Sequence, residues 1–167
     1  MSGIFGMNIK MAIYGESHGK SIGVVLDGLP PGLALDEAAI AAEMARRAPG
    51  QNALSTARKE SDTVEIQSGF FNGFTTGTPL CARIVNSDQH SKDYSILADK
   101  MRPGHADYAG HVRYQGFNDY RGGGHFSGRL TAPLVFAGAV AKQALAQYGI
   151  VVGSHILQIN DIKEERF

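Results

Sequence analysis

The chain has 167 residues, of which 43% are apolar, and carries 16 basic and 16 acidic side chains for a formal net charge of zero. That size and apolar share allow one globular domain with a sizeable core, and the neutral balance excludes the bulk basic field of a nucleic-acid binder. Any anion must therefore be held by locally placed charge.

The single cysteine, Cys81, excludes an internal disulfide framework and suits a reducing cytoplasm. No apolar run reaches the roughly 18 residues of a membrane span, and the N-terminus lacks a basic segment followed by an apolar one. A soluble cytoplasmic protein is expected. Residues 10–14 and 21–27 read as strands, and between them lies Gly15-Glu16-Ser17-His18-Gly19. Turns call for Gly, Asn, Asp or Pro, and nothing in turn geometry calls for Ser17-His18. The two glycines would let backbone approach a ligand, while Ser17 and His18 offer a hydroxyl and a titratable imidazole. The plainer alternative is a turn with an incidental histidine.

Pro30-Pro31-Gly32 makes a stiff loop, and Asp36 is placed to cap a helix over 37–47 with Ile40 and Met44 on one face, ending at Pro49-Gly50. Val64, Ile66 and Ser68 alternate with polar neighbours as a half-buried strand. Asn72-Gly73 is a turn, and 79–85 returns as a second strand, giving a hairpin with a long loop. From Asn86 to Ser127 the chain is polar, punctuated by glycine and without a strong period, as in functional loops. Leu130, Leu134, Ala137, Ala141 and Leu145 then trace a helical stripe, with Pro133 in its first turn and Gly149 past its end. Ile150 to Ile159 reads as a strand. Strands joined by antiparallel turns, with helices interspersed, indicate α+β layers.

Three further stretches carry chemistry. Arg46 and Arg47 end the first helix, where cations oppose the dipole, but arginine also binds carboxylates and phosphates as a fork. Neighbours on a helix point about 100° apart, so only one of the two can face a given site. Pro103-Gly104 presents Arg102 and His105 from one bend. Gly122-Gly123-Gly124 followed by His125, Ser127 and Arg129 at a helix start has the parts of an anion cradle, without the Lys-Ser/Thr ending of a P-loop. An RNA-binding glycine–arginine segment is a rival reading that one copy in a neutral chain supports poorly. The six histidines, 18, 90, 105, 111, 125 and 155, lack metal-ligand spacing, so no metal site is expected. Together the loops collect arginines and imidazoles suited to a small polyanion that must be protonated.

In order, GESHG (15–19), DGLPPGL (27–33), RRAPGQ (46–51), the spaced Thr56, Arg58, Glu60 and Asp62, the stretch from Ser68-Gly69 to Thr75-Thr76-Gly77-Thr78-Pro79, RPGHADY (102–108) and DYRGGG (119–124) resemble the chorismate synthase family. The likeness runs from about Ile9 to Ile159 and matches that family's N-terminal half. It implies a lyase that converts 5-enolpyruvylshikimate 3-phosphate to chorismate and phosphate by 1,4-elimination, with reduced FMN and NADPH as the candidate reductant. It also implies an anionic small-molecule substrate, a homotetramer, and neither nucleic-acid nor membrane partners. By the same resemblance His18 and His105 are catalytic, with His18 assisting phosphate departure and His105 beside the flavin. Ser17, Arg47, Arg102 and Arg129 would contact substrate, and His125, Phe126 and Ser127 would contact FMN. The expected fold is α+β, a layered β-α-β sandwich with antiparallel strands and long glycine-rich functional loops.

Two departures stand out. The common family form GGGRSSARET is here GGGHFSGRLT, with His125, Phe126, Gly128 and Leu130 in place of Arg, Ser, Ala and Glu, and Ala53 stands where many members carry an arginine. Residues 1–167 would form only the N-terminal half of a catalytic domain. Such a half is expected to fold, expose apolar surface, bind FMN weakly and make no chorismate. A non-catalytic flavin- or anion-binding module is the alternative.

Overall fold

The computed structural model describes residues 3–48, 62–87 and 98–165. The expected helix stop at Pro49-Gly50, and Ala53, Thr56, Arg58, Glu60 and His90, lie outside the described residues. Strands β1 (Ile4–Phe5), β2 (Lys10–Gly15), β3 (Ser21–Asp27), β4 (Val64–Ser68) and β7 (Leu80–Val85) form one sheet in the order β1-β2-β3-β7-β4. Every pairing in it is antiparallel. Register places Ile13 opposite Val24, Val24 opposite Ala82, and Ile22 between Gly15 and Ile84. Because side chains alternate with period two, this register gathers Met11, Ile13, Ile22, Val24, Leu26, Leu80, Ala82, Ile84, Val64 and Ile66 on one face. That face is the core.

Helices α1 (Glu37–Arg47) and α3 (Thr131–Ala146) cover it. As expected, Asp36 caps α1, its carboxylate accepting from the Ala39 amide at 3.0 Å, and Ile40 and Met44 are buried. The Gln143 side chain ties the helices together: its Oε1 accepts from Asp36 N at 2.8 Å and its Nε2 donates to Asp36 O at 3.1 Å. The sheet and the two helices make the antiparallel α+β architecture expected. Among the described residues, no helix is long and apolar enough to cross a membrane.

The expected stripe on α3 is displaced. Ala132, Pro133, Phe136, Ala137, Ala139 and Val140 are buried, whereas Leu134 and Ala141 are exposed. A helix that is apolar on nearly every side leaves the choice of buried face to its neighbours, here the sheet and α1. Gly149 does end it: with φ +70° it lets Ile150 N reach Leu145 O at 3.2 Å while its own amide donates to Ala146 O at 3.0 Å.

The strand expected over Ile150–Ile159 is corrected. Residues 150–157 form no strand, and only Gln158–Ile159 (β8) pairs, with Ile162–Lys163 (β9). Apolar alternation marks a strand only where another edge accepts its hydrogen bonds, and no described strand lies alongside this segment. The Asn72-Gly73 turn is present, with φ +49° and +86°, between β5 (Phe70–Phe71) and β6 (Phe74–Thr75). Among the described residues, the long polar stretch contains α2 (Asp107–Arg113), missed by periodicity because seven residues are too few to show a repeat, and a short 3-10 segment over Arg121–Phe126.

Phe136 is 1% exposed and lies in the core between sheet and helices. Phe136→Ala should lower unfolding free energy by about 3–5 kcal/mol. Urea unfolding followed by circular dichroism reads this directly; a change below about 1 kcal/mol would show that α3 does not anchor the core.

Candidate active site

The site is organised by Gly122-Gly123-Gly124, whose φ angles are +58°, +83° and +54°. Three consecutive left-handed residues are open only to glycine at low cost, which accounts for the run. Space requires it as well. A Cβ on Gly122 would lie 2.2 Å from the His18 ring and 3.0 Å from Ser17 Oγ. On Gly123 it would lie 2.8 Å from His105 Cε1 and 3.2 Å from an Arg102 guanidinium nitrogen. Consecutive Cα atoms are about 3.8 Å apart, so one peptide unit separates the backing of the two imidazoles. Four of the expected residues, Ser17, His18, Arg102 and His105, therefore meet around this turn.

Ser17 and His18 sit in the loop of the β2–β3 hairpin and are 1% and 5% exposed. Gly15 must leave β2 at φ +90°, where a Cβ would strike Ser21 O at 2.2 Å. The loop is pinned to the triglycine turn by Ser17 N donating to Gly124 O at 3.1 Å, and its own bend is closed by Gly19 N donating to Glu16 O at 3.0 Å.

Arg102 and His105 share a carboxylate on the first turn of α2. Arg102 donates to Asp107 through Nε at 2.8 Å and Nη2 at 3.0 Å, and His105 Nδ1 lies 2.6 Å from Asp107 Oδ1 as an ion-pair contact. Arg102 Nη2 also lies 3.3 Å from His105 Nδ1 and 3.4 Å from Nε2, so guanidinium and imidazole sit at contact distance over one carboxylate. Hydrogen bonds from Arg102 hold the Asp107 carboxyl down to about 2, against an ordinary 3.8.

Arg47 and Arg129 meet elsewhere, on the fully buried carboxylate of Asp62. Arg46 points the other way and pairs with Glu43, as the 100° step demands. Arg129 Nε also donates to Asn86 Oδ1 at 3.2 Å, and Asn86 Nδ2 donates to Glu16 O and Gly19 O at 3.0 and 2.8 Å. The arginine pair is thus joined by hydrogen bonds to the His18 loop.

Beside the triglycine turn lies a cleft of about 320 Å³, lined by Glu16, Tyr114, Phe117, Asn118, Asp119, His125 and Phe126. His125 Nδ1 donates to Gly15 O at 2.8 Å, and Phe126 packs on α2 so closely that a Cβ on Gly110 would come within 2.5 Å of its ring. Of the three residues expected at a flavin, two line this cleft. The Ser127 hydroxyl instead accepts from Arg129 N at 3.3 Å. Burial raises the Glu16 carboxyl, reinforced by Asp119, while hydrogen bonds from Arg121 lower Asp119. Glu16 accordingly keeps its proton to higher pH than its neighbour. The lining rings are not parallel, Tyr114 tilting 37° to Phe126 and His125 meeting it edge-on at 81°, and the volume is within the range of small-molecule pockets.

Asn86 and Asp119 were not singled out by sequence reasoning, and Asp107 entered it only as the acid grouped with Arg102 and His105 at the Pro-Gly bend, without a role of its own. Asp107 stood inside RPGHADY, where its spacing from Arg102 was the available signal. Asn86 had none, since it only follows a strand.

A family model described as Chorismate synthase matches residues 9–167. The chain belongs to the chorismate synthase family. It is 48% identical to a chorismate synthase of Cytophaga hutchinsonii and 52% identical to one of Sulfurimonas denitrificans, in each case over 98% of this chain and 45% of the relative. A Methanosarcina acetivorans relative is 48% identical over 96% of this chain and 44% of its own length. A solved structure described as a crystal structure of chorismate synthase superposes with a TM-score of 0.67 at 30% identity, covering 95% of this chain and 40% of that one. The chain thus spans about half the length of the curated relatives it matches.

The depressed Asp107 carboxyl has a thermodynamic consequence. Its folded value lies below its unfolded one, so its contribution to stability is complete above the ordinary carboxylate value of 3.8 and is lost as pH falls toward about 2. Asp107→Asn should flatten the acid limb of stability between those pH values in urea unfolding. An unchanged limb would show that the Arg102–Asp107 pair is not maintained in solution.

Proposed function

We propose that these residues serve the conversion of 5-enolpyruvylshikimate 3-phosphate to chorismate and phosphate by 1,4-elimination. The observation that carries this reading is the pair of imidazoles and the guanidinium backed by two consecutive glycines. A substrate with one phosphate and two carboxylates needs cations to bind it, and departing phosphate needs a proton source. In this reading His18, held nearly out of water, donates toward the leaving phosphate. His105, paired with Asp107, is the second imidazole able to move a proton. Arg102 holds substrate anion from the same loop, while Arg47 and Arg129 bind the other charged groups by turning part of their guanidinium surface from Asp62. Ser17 contributes a hydroxyl contact.

His125 and Phe126 would hold reduced FMN in the aromatic cleft. When bound, the flavin supplies an electron-rich ring beside the elimination and is returned unchanged, because the reaction has no net redox change. NADPH as reductant, homotetrameric assembly, the absence of nucleic-acid partners and a cytoplasmic location belong to the same proposal. So does the assignment of residues 1–167 to one N-terminal half-domain.

The second reading is a flavin- or anion-binding module without turnover. Reduced-FMN-dependent release of phosphate, measured anaerobically, separates the two. In a polypeptide of full family length carrying these residues, His18→Ala should lower turnover roughly 10²–10⁴-fold with substrate affinity within about tenfold of the parent. An unchanged turnover number overturns the role given to His18. Arg102→Ala should weaken substrate binding by about one to two decades in calorimetric titration, the loss of one charge-assisted contact. Wild-type affinity would remove Arg102 from the anion site.

A further inference from the structure

We propose that Asn86 is a positioning residue for the Ser17-His18 loop, a role that rests on the reading of His18 given above. Asn86 is 7% exposed and follows β7 directly, at the end of the strand that pairs with β3. Its amide nitrogen donates to the two carbonyls that bracket the loop, Glu16 O at 3.0 Å and Gly19 O at 2.8 Å. Its backbone amide donates to Lys20 O at 3.2 Å. Three bonds from one residue thus hold the loop from Glu16 to Lys20. The carbonyl on the same planar head accepts from Arg129 Nε at 3.2 Å, and Arg129 is ion-paired to buried Asp62, which also binds Arg47.

Asparagine suits this place because a carboxamide carries two donors and an acceptor in fixed geometry, and all three are used. Aspartate would keep the acceptor for Arg129 and lose both donors. Alanine would lose all three side-chain bonds and keep only the backbone one to Lys20. Through Asn86 the placement of the imidazole and that of the arginine pair become one arrangement. A side chain of this kind acts on chemistry through geometry, where about 1 Å of misplacement can cost about 100-fold.

The test uses the 167-residue chain and reads the loop itself. In Asn86→Ala, hydrogen exchange across residues 15–20 should quicken about tenfold or more while α3 exchanges as in the parent. The NMR titration midpoint of His18 should move, with that of exposed His155 unchanged. Asn86→Asp should loosen the same loop, and it decides the matter if the alanine variant does not fold. Native exchange in the loop of either folded variant overturns the proposal. So does a parallel rise in the loop and α3 in both variants, which would assign Asn86 to the fold as a whole. An unmoved His18 midpoint with a loosened loop overturns it too, since the imidazole would then not depend on the clasp. In the full-length polypeptide, Asn86→Asp should lower turnover about 10- to 100-fold with KM changed less than about threefold. If the parent polypeptide itself forms no chorismate, the proposed reaction fails, and exchange and titration still decide the role of Asn86.

Discussion

Three consecutive glycines in left-handed conformations constrain everything at this site. A side chain on Gly122 would occupy the space of the His18 ring, one on Gly123 that of His105, and one on Gly124 that of the Asp119 carbonyl. The turn is therefore a thin wall, one backbone thick, with an imidazole against each of two adjacent residues. No other residue type gives a wall that thin. Glycine's conformational cost is offset where the wall is tied down, through Ser17 N to Gly124 O and His125 Nδ1 to Gly15 O.

Carboxylates set the electrostatics around that wall. Asp107 holds Arg102 and His105 in one orientation, and Asp62 holds Arg47 and Arg129 in another. Four cationic or titratable groups that would repel one another when brought together are thus each given a counter-charge. A buried charge without such a partner is strongly destabilising, so the acids are as necessary to the site as the arginines. The Arg129–Asp62 pair is the most enclosed of these and lies beside the helical layer, while the Arg102–Asp107 pair is half open to solvent.

The sheet and helices provide the rigidity this arrangement needs. The Ser17-His18 loop connects a hairpin whose two strands pair from Lys10–Asp27 to Gly15–Ile22, with β3 paired in turn to β7, so its ends are held by the sheet. Arg129 stands at the base of α3, whose Phe136 and Val140 are locked in the core. Arg47 ends α1, which is tied to α3 through Gln143 and through the Lys142–Glu43 ion pair at 2.8 Å. Sites supported by packed elements in this way hold geometry better than sites on loops alone.

Local rules were enough for much of this. The β2–β3 hairpin, α1 with its Asp36 cap, the Asn72-Gly73 turn and the Gly149 helix end all follow from short-range chemistry: period, capping and tolerance of positive φ. The same rules separated Arg46 from Arg47, and polar residues set between glycines or beside a Pro-Gly bend drew attention to Ser17, His18, Arg102 and His105, to which family resemblance then gave roles. The buried face of α3 could not be read, because a helix apolar on most sides is oriented by whatever it packs against. Residues 150–157 carry a strand pattern without a partner edge among the described residues, and a pattern alone makes no hydrogen bonds. Asn86 and Asp62 act through groups distant in the chain, Glu16, Gly19, Arg129 and Arg47, so their roles exist only once the sheet and helices bring those groups together. The sequence by itself determined the hairpin, the caps and the glycine turn, since each depends on neighbours within a few residues. Tertiary structure alone decided which carboxylate faces which arginine and how the two imidazoles come to share one wall.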